Sequence, residues 1–233
     1  MDVLVIDVGG SHVKFCASGE SCRRRFKSGP GLTPQMMVDR VRKKADGWKY
    51  DVISLGVPAI VEGTGPRTEP GNLGDGWVGF DFEDAFGKPV RLVNDAVMQA
   101  LGAYAGGRML FLGLGTGLGS ALVTEHVIVP LELGTLPFQG GKTMAERVGR
   151  KALEANGQAE WIRDVHRMVE VLRDAFVAEY LVLGGGNAKL VDPLPKRTRR
   201  GGNADAFKGG FRLWEEMVEP HARKPHRAWR VVR

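Results

Sequence analysis

A glycine-rich turn near the start of the chain carries the first set of side chains with a recognisable chemistry. The sequence from Asp7 reads Asp-Val-Gly-Gly-Ser-His-Val-Lys, which places Gly9 and Gly10 at the turn. Turn glycines leave backbone N–H groups accessible to an anion because no Cβ blocks the approach. Ser11 adds a hydroxyl and Lys14 a cation. A carboxylate beside phosphate is unfavourable without a bridging cation, so Asp7 indicates phosphate bound through Mg²⁺. The alternative is a tight hairpin turn that Asp7 only caps.

A second turn of the same kind lies about a hundred residues further on. From Leu112 the chain reads Leu-Gly-Leu-Gly-Thr-Gly-Leu-Gly-Ser, with Gly115, Thr116 and Gly117 at its centre and Ser120 at its end. Alternating glycines make a poor apolar strand but a good phosphate cradle. Neither turn is a P-loop, since no Gly-Lys-Ser/Thr follows, and neither is a dinucleotide fingerprint with a helix directly after it.

Two acids outside the turns are candidates for work on a hydroxylated substrate. Asn94 and Asp95 stand where a strand ends and a helix begins. Asp95 there can accept a proton from a substrate hydroxyl while the Asn94 amide orients the substrate; alternatively, Asp95 is an ordinary helix N-cap. Glu132 lies inside an apolar run. It suits bidentate hydrogen bonding to vicinal sugar hydroxyls, or it is a solvent-facing glutamate on an edge strand.

Three consecutive glycines, Gly184, Gly185 and Gly186, follow an apolar segment near the C-terminal end. They leave a surface without side chains, on which a purine ring and its ribose can lie. The alternative is a plain turn after a strand, which seldom needs three glycines.

The elements that position these residues repeat along the chain. Apolar Val3–Val8 predicts a buried strand, and the alternating pattern of 12–17 predicts a second strand after the first glycine turn. The same order returns with strands at 109–114 and 119–123 around the second turn. The repetition predicts an internal duplication, with two α/β halves facing each other across a cleft.

The duplication sets the expected domains and the remaining elements. We expect an N-terminal domain over 1–95 and a C-terminal domain over 96–233, with a hinge in the helix near 96–106. The sequence predicts a helix from Thr33 to Asp46, with Thr33 as N-cap, Pro34 as the first helical residue and Gly47 directly after its end. A second, amphipathic helix is marked by apolar residues at spacings of three and four from Trp161 to Phe176. Further strands are expected at 51–57, 90–93 and 180–183, and an ordered loop at 62–79.

Composition excludes several classes of protein. The chain has 233 residues, of which 43% are hydrophobic and 26% charged, which is typical of a globular protein and not of a disordered one. No apolar run is long enough to span a membrane, and the first residues lack a basic segment, so we expect no membrane span and no secretory signal. Cys16 and Cys22 are too few for a disulfide framework or a four-ligand zinc site. We therefore expect a reduced, cytoplasmic protein.

Positive charge is concentrated at the C-terminal end. Residues 196–233 hold 11 Lys and Arg against 4 Asp and Glu, although the whole chain carries only +6. A basic end suits a polyanion such as inorganic polyphosphate, nucleic acid or an acidic membrane surface; the simpler interpretation is a solvated face. A nucleic-acid-binding module leaves both glycine turns unexplained, so we do not favour it. Trp214 and Trp229 suit either the core or a homodimer contact, and we favour the core.

Taken in order, these segments resemble the ROK (repressor, open reading frame, kinase) family of sugar kinases, and within it the polyphosphate glucokinases. The family is part of the actin/hexokinase/Hsp70 superfamily. The resemblance runs from Asp7 to Gly186 and is carried by the first turn with Lys14, Gly56-Val57-Pro58, Asn72-Leu73 with Trp77, Asn94-Asp95-Ala96, the second turn, Glu132-Leu133-Gly134, and Leu183 with the three glycines.

The resemblance implies two duplicated actin-like (ribonuclease H-like) domains and phosphoryl transfer to a hexose, glucose above all. It implies that Asp95 is the general base, that Asn94 and Glu132 bind the sugar, and that both turns bind the donor phosphates. Asp7 then acts through Mg²⁺, and the three glycines bind the adenosine of ATP if ATP is the donor.

Some residues depart from the family pattern. Thr135 stands where a histidine is expected after Glu132-Leu133-Gly134, and Ala96-Val97-Met98 replaces small and polar residues. The family's zinc-binding cysteines are absent, as in the polyphosphate glucokinases, and no helix-turn-helix precedes Asp7. The main alternative is therefore a sensor that keeps the fold and binds sugar or nucleotide without catalysis.

Overall fold

The computed structural model describes residues 1–20, 23–202, 204–217 and 226–232 of the chain. Helices in these residues are α1 Pro34–Lys44, α2 Phe82–Phe86, α3 Asp95–Ala103, α4 Met144–Val148, α5 Arg150–Asn156, α6 Gln158–Ala175 and α7 Asp205–Arg212. Strands are β1 Val3–Val8, β2 His12–Ala17, β3 Arg24–Lys27, β4 Val52–Val57, β5 Val61–Glu62, β6 Gly65–Pro66, β7 Val90–Asn94, β8 Met109–Leu114, β9 Leu118–Thr124, β10 Val127–Leu131, β11 Tyr180–Gly184, β12 Thr198–Arg200, β13 Glu216–Met217, β14 His226–Arg227 and β15 Arg230–Val231.

Packing divides the chain into two units. The first contains Met1–Met98 and the described part of 206–229, and the second contains Gln99–Asp205 and Arg230–Val232. We expected one division after residue 95, with everything beyond it in the second domain. Of the described residues beyond 205, those up to Trp229 pack with the first unit and Arg230–Val232 pack with the second.

The first unit is built on a five-stranded sheet in the order β3-β2-β1-β4-β7. β1 pairs antiparallel with β2 and parallel with β4, and β4 pairs parallel with β7. All residues of β1 and β4 are buried, as expected for strands covered on both faces. The carboxyl ends of β1, β4 and β7 therefore lie along one edge of the sheet.

The second unit repeats this arrangement. Its six-stranded sheet has the order β12-β11-β8-β9-β10-β15, so that β10, β9, β8, β11 and β12 correspond to β3, β2, β1, β4 and β7. The pairings have the same sense: β8 with β9 is antiparallel, and β11 is parallel to both β8 and β12. The predicted duplication is confirmed at the level of topology.

The predicted helices form because their apolar faces are buried. Thr33 caps α1 by accepting a hydrogen bond from the Met36 N–H, with Pro34 as the first helical residue. α1 ends at Lys44, two residues before the predicted end. In the second unit, α6 buries the predicted stripe through Trp161 and Leu172, and the Trp161 indole donates to the Val148 carbonyl at 2.8 Å.

A buried serine explains why the chain after 205 returns to the first unit. Ser54, in the otherwise apolar β4, donates to the Gly210 carbonyl at 2.6 Å and accepts from the Trp214 indole at 3.0 Å. A side chain at Gly210 has no room because the Val5 side chain fills the space. The Arg91 guanidinium lies 3.7 Å from the centre of the Trp214 ring. Trp214 therefore makes its polar and ring contacts within the chain.

Trp229 also makes an internal contact. Its side chain is buried, and the indole donates to Glu215 at 2.9 Å. Trp229 is thus buried and Trp214 half-buried, each with its indole bonded within the chain, and the homodimer stays a prediction. Cys16 is buried, whereas Cys22 lies outside the described residues. In the ranges that the structure describes, no helix has the length and apolar character to cross a bilayer.

Candidate active site

The first glycine turn joins β1 to β2 and is closed by its own backbone. The Gly9 N–H donates to the His12 carbonyl at 3.0 Å, so this predicted phosphate-binding amide is already engaged. The Gly10 and Ser11 N–H groups donate to no group of the described residues. A Cβ at Gly10 would lie 3.2 Å from Asn72, which explains the glycine there. The turn thus offers two amides to an anion.

Asp7 is the buried carboxylate at the base of this turn. It lies opposite Lys14 in the β1–β2 register, and the Lys14 Nζ is 3.9 Å from its carboxylate. Burial raises the pKa of Asp7 above its ordinary value, and the positive charge of Lys14 opposes that rise. Because the ionised carboxylate is poorly solvated, a second cation beside Asp7 would be bound favourably.

Asn94 and Asp95 lie at the same sheet edge as the first turn. β7 ends at Asn94 and α3 begins at Asp95, with β4 between β7 and β1. Two strand spacings separate the first turn from Asn94, about 10 Å. Gly56 brings α3 close to the sheet, since the Met98 side chain occupies the place of a Cβ there. The first unit therefore collects Asp7 and Asp95 along one edge.

Local hydrogen bonds fix Asn94 and Asp95. The Asn94 amide donates to the Ala59 carbonyl at 3.0 Å and its oxygen accepts from the Ala96 N–H at 2.8 Å. An Asp95 carboxylate oxygen lies 2.9 Å from the same N–H. Asn94 thus ties the start of α3 to the segment after β4. Its amide keeps one further donor and acceptor position for a substrate.

The second glycine turn joins β8 to β9 and is also closed internally. The Gly115 N–H donates to the Gly117 carbonyl at 3.2 Å, so the predicted Gly115 amide is engaged. The N–H groups of Thr116 and Gly117 have no acceptor among the described residues. As in the first turn, two of the amides remain for an anion.

The triple glycine is brought against the second turn. The Asn187 N–H donates to the Leu114 carbonyl at 3.0 Å, and the Asn187 amide lies 3.4 Å from the Gly115 carbonyl. A Cβ at Gly184 would collide with the Phe111 ring, and one at Gly185 with the Leu114 backbone. Gly186 alone borders open space. Packing therefore accounts for two of the glycines, and the prediction of a nucleotide surface depends on Gly186.

Sequence reasoning missed a cation behind the second turn. The N–H of Arg150 donates to the carbonyls of Gly115 at 3.1 Å and Thr116 at 3.3 Å. This approach requires Gly149, because a Cβ there would lie 2.7 Å from the Thr116 oxygen and 2.6 Å from the Ala145 oxygen. The exposed Arg150 side chain starts beside the turn and makes no ion pair within the described ranges. The only sequence signal was the Gly-Arg pair.

Glu132 lies just beyond β10, at the start of the short turn Leu133–Thr135. Within the described residues, β15 pairs with β10 only at Val127 and Ile128, and Glu132 lies beyond the end of the strand with an exposed side chain. Desolvation raises the pKa of its carboxyl. The Thr135 hydroxyl donates to the Glu132 carbonyl at 2.7 Å, so it completes its own turn.

Ser120 has a different place from the one the sequence suggested. Its side chain is buried, donates to the Leu131 carbonyl at 2.8 Å and accepts from the Leu133 N–H at 3.1 Å. It therefore holds the segment on either side of Glu132 instead of completing the phosphate cradle. The second turn and the Glu132 segment are thereby joined through one hydroxyl.

The sequence of the chain is similar to those of known sugar kinases. No family model matches the chain. It is 26% identical over 209 residues to a polyphosphate glucokinase of Mycobacterium tuberculosis, a match that spans 80% of this chain and 78% of the relative. It is 27% identical to the polyphosphate glucokinase of Mycobacterium leprae over 80% of this chain and 64% of the relative.

Solved structures share the fold over about nine tenths of the chain. The inorganic polyphosphate/ATP-glucomannokinase of Arthrobacter superimposes with a TM-score of 0.76 at 23% identity, over 89% of this chain and 96% of that one. A ROK family glucokinase of Streptomyces griseus, solved with glucose and AMPPNP, gives 0.73 at 14% identity over 90% and 97%. The fold is the actin-like two-domain fold of the ROK sugar kinases. Polyphosphate glucokinases are among the sequence relatives of the chain. The resemblance inferred from the motifs is therefore confirmed.

Proposed function

We propose that the chain is a sugar kinase that transfers a phosphoryl group from inorganic polyphosphate or ATP to a hexose, with the 6-hydroxyl of glucose as acceptor. One observation carries the proposal: a chain similar to polyphosphate glucokinases over 80% of its length holds Asp95 at the same sheet edge as a phosphate-type turn. The other candidate residues of the site are assigned roles in the same reaction below.

Asp95 is the general base of this reaction. It accepts the proton of the sugar hydroxyl as the hydroxyl oxygen attacks the terminal phosphorus. The phosphoanhydride bond breaks, and ADP or a polyphosphate shortened by one unit leaves. Asn94 and Glu132 bind the sugar hydroxyls. The raised pKa of Glu132 means that its acceptor form is lost at a higher pH than for an ordinary glutamate.

The turn amides hold the donor. Gly10 and Ser11 in the first turn, and Thr116 and Gly117 in the second, present N–H groups that the described residues leave unused. Gly9 and Gly115 shape the turns through their own hydrogen bonds. We place Arg150 beside the second turn as a further cation for the donor phosphates.

Asp7 fits Mg²⁺ bound mainly by phosphates. Within the described ranges, no three His, Cys, Asp or Glu side chains cluster as a metal cage. Magnesium needs none, because it commonly keeps waters and uses one carboxylate with substrate phosphates. The poorly solvated Asp7 carboxylate, with Lys14 at 3.9 Å, suits that arrangement. Mg²⁺ would neutralise charge on the transferred phosphoryl group.

A non-catalytic sensor is the second candidate. Thr135 favours it, since the hydroxyl is used in its own turn where the family pattern has a histidine. The placement of Asp95 and Asp7 at one edge favours the kinase, because a sensor has no need for a base.

Transfer of phosphate into glucose tests the proposal. The wild-type protein is incubated with Mg²⁺ and glucose, and with tripolyphosphate, long-chain polyphosphate or ATP in turn, and glucose 6-phosphate is measured. We expect transfer, with use of long-chain polyphosphate falling more steeply with ionic strength than use of ATP. Glucose binding without transfer from any donor would contradict the kinase and support the sensor.

A further inference from the structure

A basic edge strand in the second unit has no role in the site described above. β12 is the outer strand of the six-stranded sheet and pairs parallel with β11. Four of the five residues from 196 to 200 are cations: Lys196, Arg197, Arg199 and Arg200. They are the first part of the basic C-terminal segment, of which Arg223, Lys224 and Arg233 lie outside the described residues.

A cavity opens where this edge strand begins. It has a volume of about 350 Å³ and is lined by Ala105, Tyr180, Arg197, Thr198 and Arg199. The Arg199 guanidinium lies over the Tyr180 ring, 4.9 Å from its centre, and donates to the Ala103 carbonyl. The Tyr180 hydroxyl accepts from the Ala105 N–H at 3.1 Å. These contacts hold one wall of the cavity in place before any ligand binds.

The cavity is positively charged. Asp192 lies 3.5 Å from Arg200, outside the lining. Glu179 accepts from the Arg108 N–H at 3.1 Å and lies against Gly107. Within the ranges that the structure covers, neither Arg197 nor Arg199 forms an ion pair with a carboxylate. The Arg197 backbone has a positive φ of 55°. Residues other than glycine adopt this conformation only at a cost in free energy.

The edge strand leads from the cavity to the donor turn. Arg200 is in register with Leu183, and the Gly201 N–H donates to the Leu183 carbonyl at 2.9 Å. β12 therefore ends beside Gly184–Gly186, which pack against the second glycine turn. Tyr180 and Gly184 are four residues apart on β11, which is about 13 Å along the strand. A long chain of phosphates can span this distance, whereas tripolyphosphate and the triphosphate of ATP are shorter.

We propose that the cavity and β12 form a distal subsite for an inorganic polyphosphate chain whose reactive end lies at the second glycine turn. The inference rests on the proposed function and assigns Arg197 and Arg199 to phosphates remote from the one transferred. Arginine suits this task because its planar guanidinium binds phosphate through paired hydrogen bonds. Continuity with the donor turn favours polyphosphate over nucleic acid.

The test compares donors of different length. The Arg197→Ala/Arg199→Ala variant is measured against Arg163→Ala/Arg167→Ala, which removes the same charge from two exposed positions of α6. We expect the KM for long-chain polyphosphate to rise about tenfold in the first variant only. Its KM for tripolyphosphate and for ATP stays unchanged. The slope of log KM against log salt for the long chain falls by about 1.4, as for two lost phosphate contacts.

Direct binding separates this inference from the kinase itself. Affinity for labelled long-chain polyphosphate, measured without glucose, should fall in the variant even if no phosphoryl transfer occurs. Single Arg197→Ala, whose side chain makes no hydrogen bond or ion pair within the described ranges, guards against a folding defect. Arg199→Lys, which keeps the charge, should retain part of the affinity.

Two results would overturn the subsite. The first is an equal rise in KM for all three donors, which would locate the effect at the donor turn. The second is an unchanged KM and affinity for long chains together with self-association of the variant. That outcome would mean that the arginines only protect an exposed edge strand from pairing.

Discussion

The two glycine turns have the same backbone design but different surroundings. Each joins an antiparallel pair of strands, uses its first glycine N–H to close itself and leaves two N–H groups for an anion. The first stands over the buried carboxylate of Asp7 with Lys14 opposite. No buried acid of the described residues stands beside the second turn, which is backed by Arg150 and the triple-glycine segment. Duplication gave two turns of one backbone design, of which the first, beside Asp7, is the acidic turn and the second, beside Arg150, is the basic turn.

The acidic turn should be the more sensitive to substitution, and Asp7→Asn tests this. We expect activity with either donor to fall by about 10- to 100-fold, as for loss of a group that positions a metal. The comparison variant is Asp2→Asn, an exposed acid just before the same strand. Activity within twofold of the wild type would remove Asp7 from the phosphate site.

The same substitution should leave stability unchanged or increase it. Burial raises the pKa of Asp7, so at pH above the ordinary value of 3.8 the ionised carboxylate destabilises the folded state. This cost grows as the pH rises from 3.8 towards the raised pKa and is constant above it. Asparagine has no charge to desolvate. Urea unfolding from pH 4 to pH 8 should therefore show a smaller loss of stability with rising pH in the variant.

The support behind the basic turn depends on one glycine. Gly149→Ala would place a Cβ 2.6–2.7 Å from two carbonyl oxygens, one of them in the turn itself. We expect a loss of about 1–3 kcal/mol in the free energy of unfolding, together with a higher KM for both donors. Gly71→Ala, where a Cβ meets nothing within 4 Å, is the control. Equal behaviour of the two variants would show that the approach of α5 is not tight.

Arg150 tests the cation of the second turn by itself. Since its side chain is exposed, we expect Arg150→Ala to raise the KM for both donors about three- to tenfold, with little change in stability. Arg150→Lys should recover part of the loss, and Arg163→Ala should have no effect. A change in kcat for glucose without a change in donor KM would contradict the assignment.

Among these substitutions, Gly186→Ala should have the smallest effect on KM and the most selective one between donors. It borders open space, so Gly186→Ala should fold normally. If the three glycines form the adenosine surface, the variant raises the KM for ATP a few-fold and leaves that for polyphosphate unchanged. Equal kinetics with ATP would mean that the triple glycine serves packing alone, as it does at Gly184 and Gly185.

Much of the candidate site could be predicted from local sequence patterns, whereas the rest depends on contacts between residues far apart in the chain. Both hairpins, the start of α1 at Thr33 and the strand-to-helix junction at Asn94 follow from apolar periodicity and turn chemistry. The return of α7 to the first unit depends on Ser54, a polar residue in a buried strand whose partners are more than 150 residues away. The contacts of Ser120 and Arg150 could not be predicted from local sequence either, because their hydrogen-bond partners lie on other elements.

The most direct test of the account is Asp95→Asn. The variant and the wild type are compared for glucose 6-phosphate formation and, separately, for glucose affinity. We predict a loss of turnover of about 10²–10⁴-fold, with glucose affinity nearly unchanged because the amide keeps the size and hydrogen-bonding capacity of the carboxylate. Turnover equal to that of the wild type would contradict the assignment of Asp95 as the base, and with it the proposed mechanism.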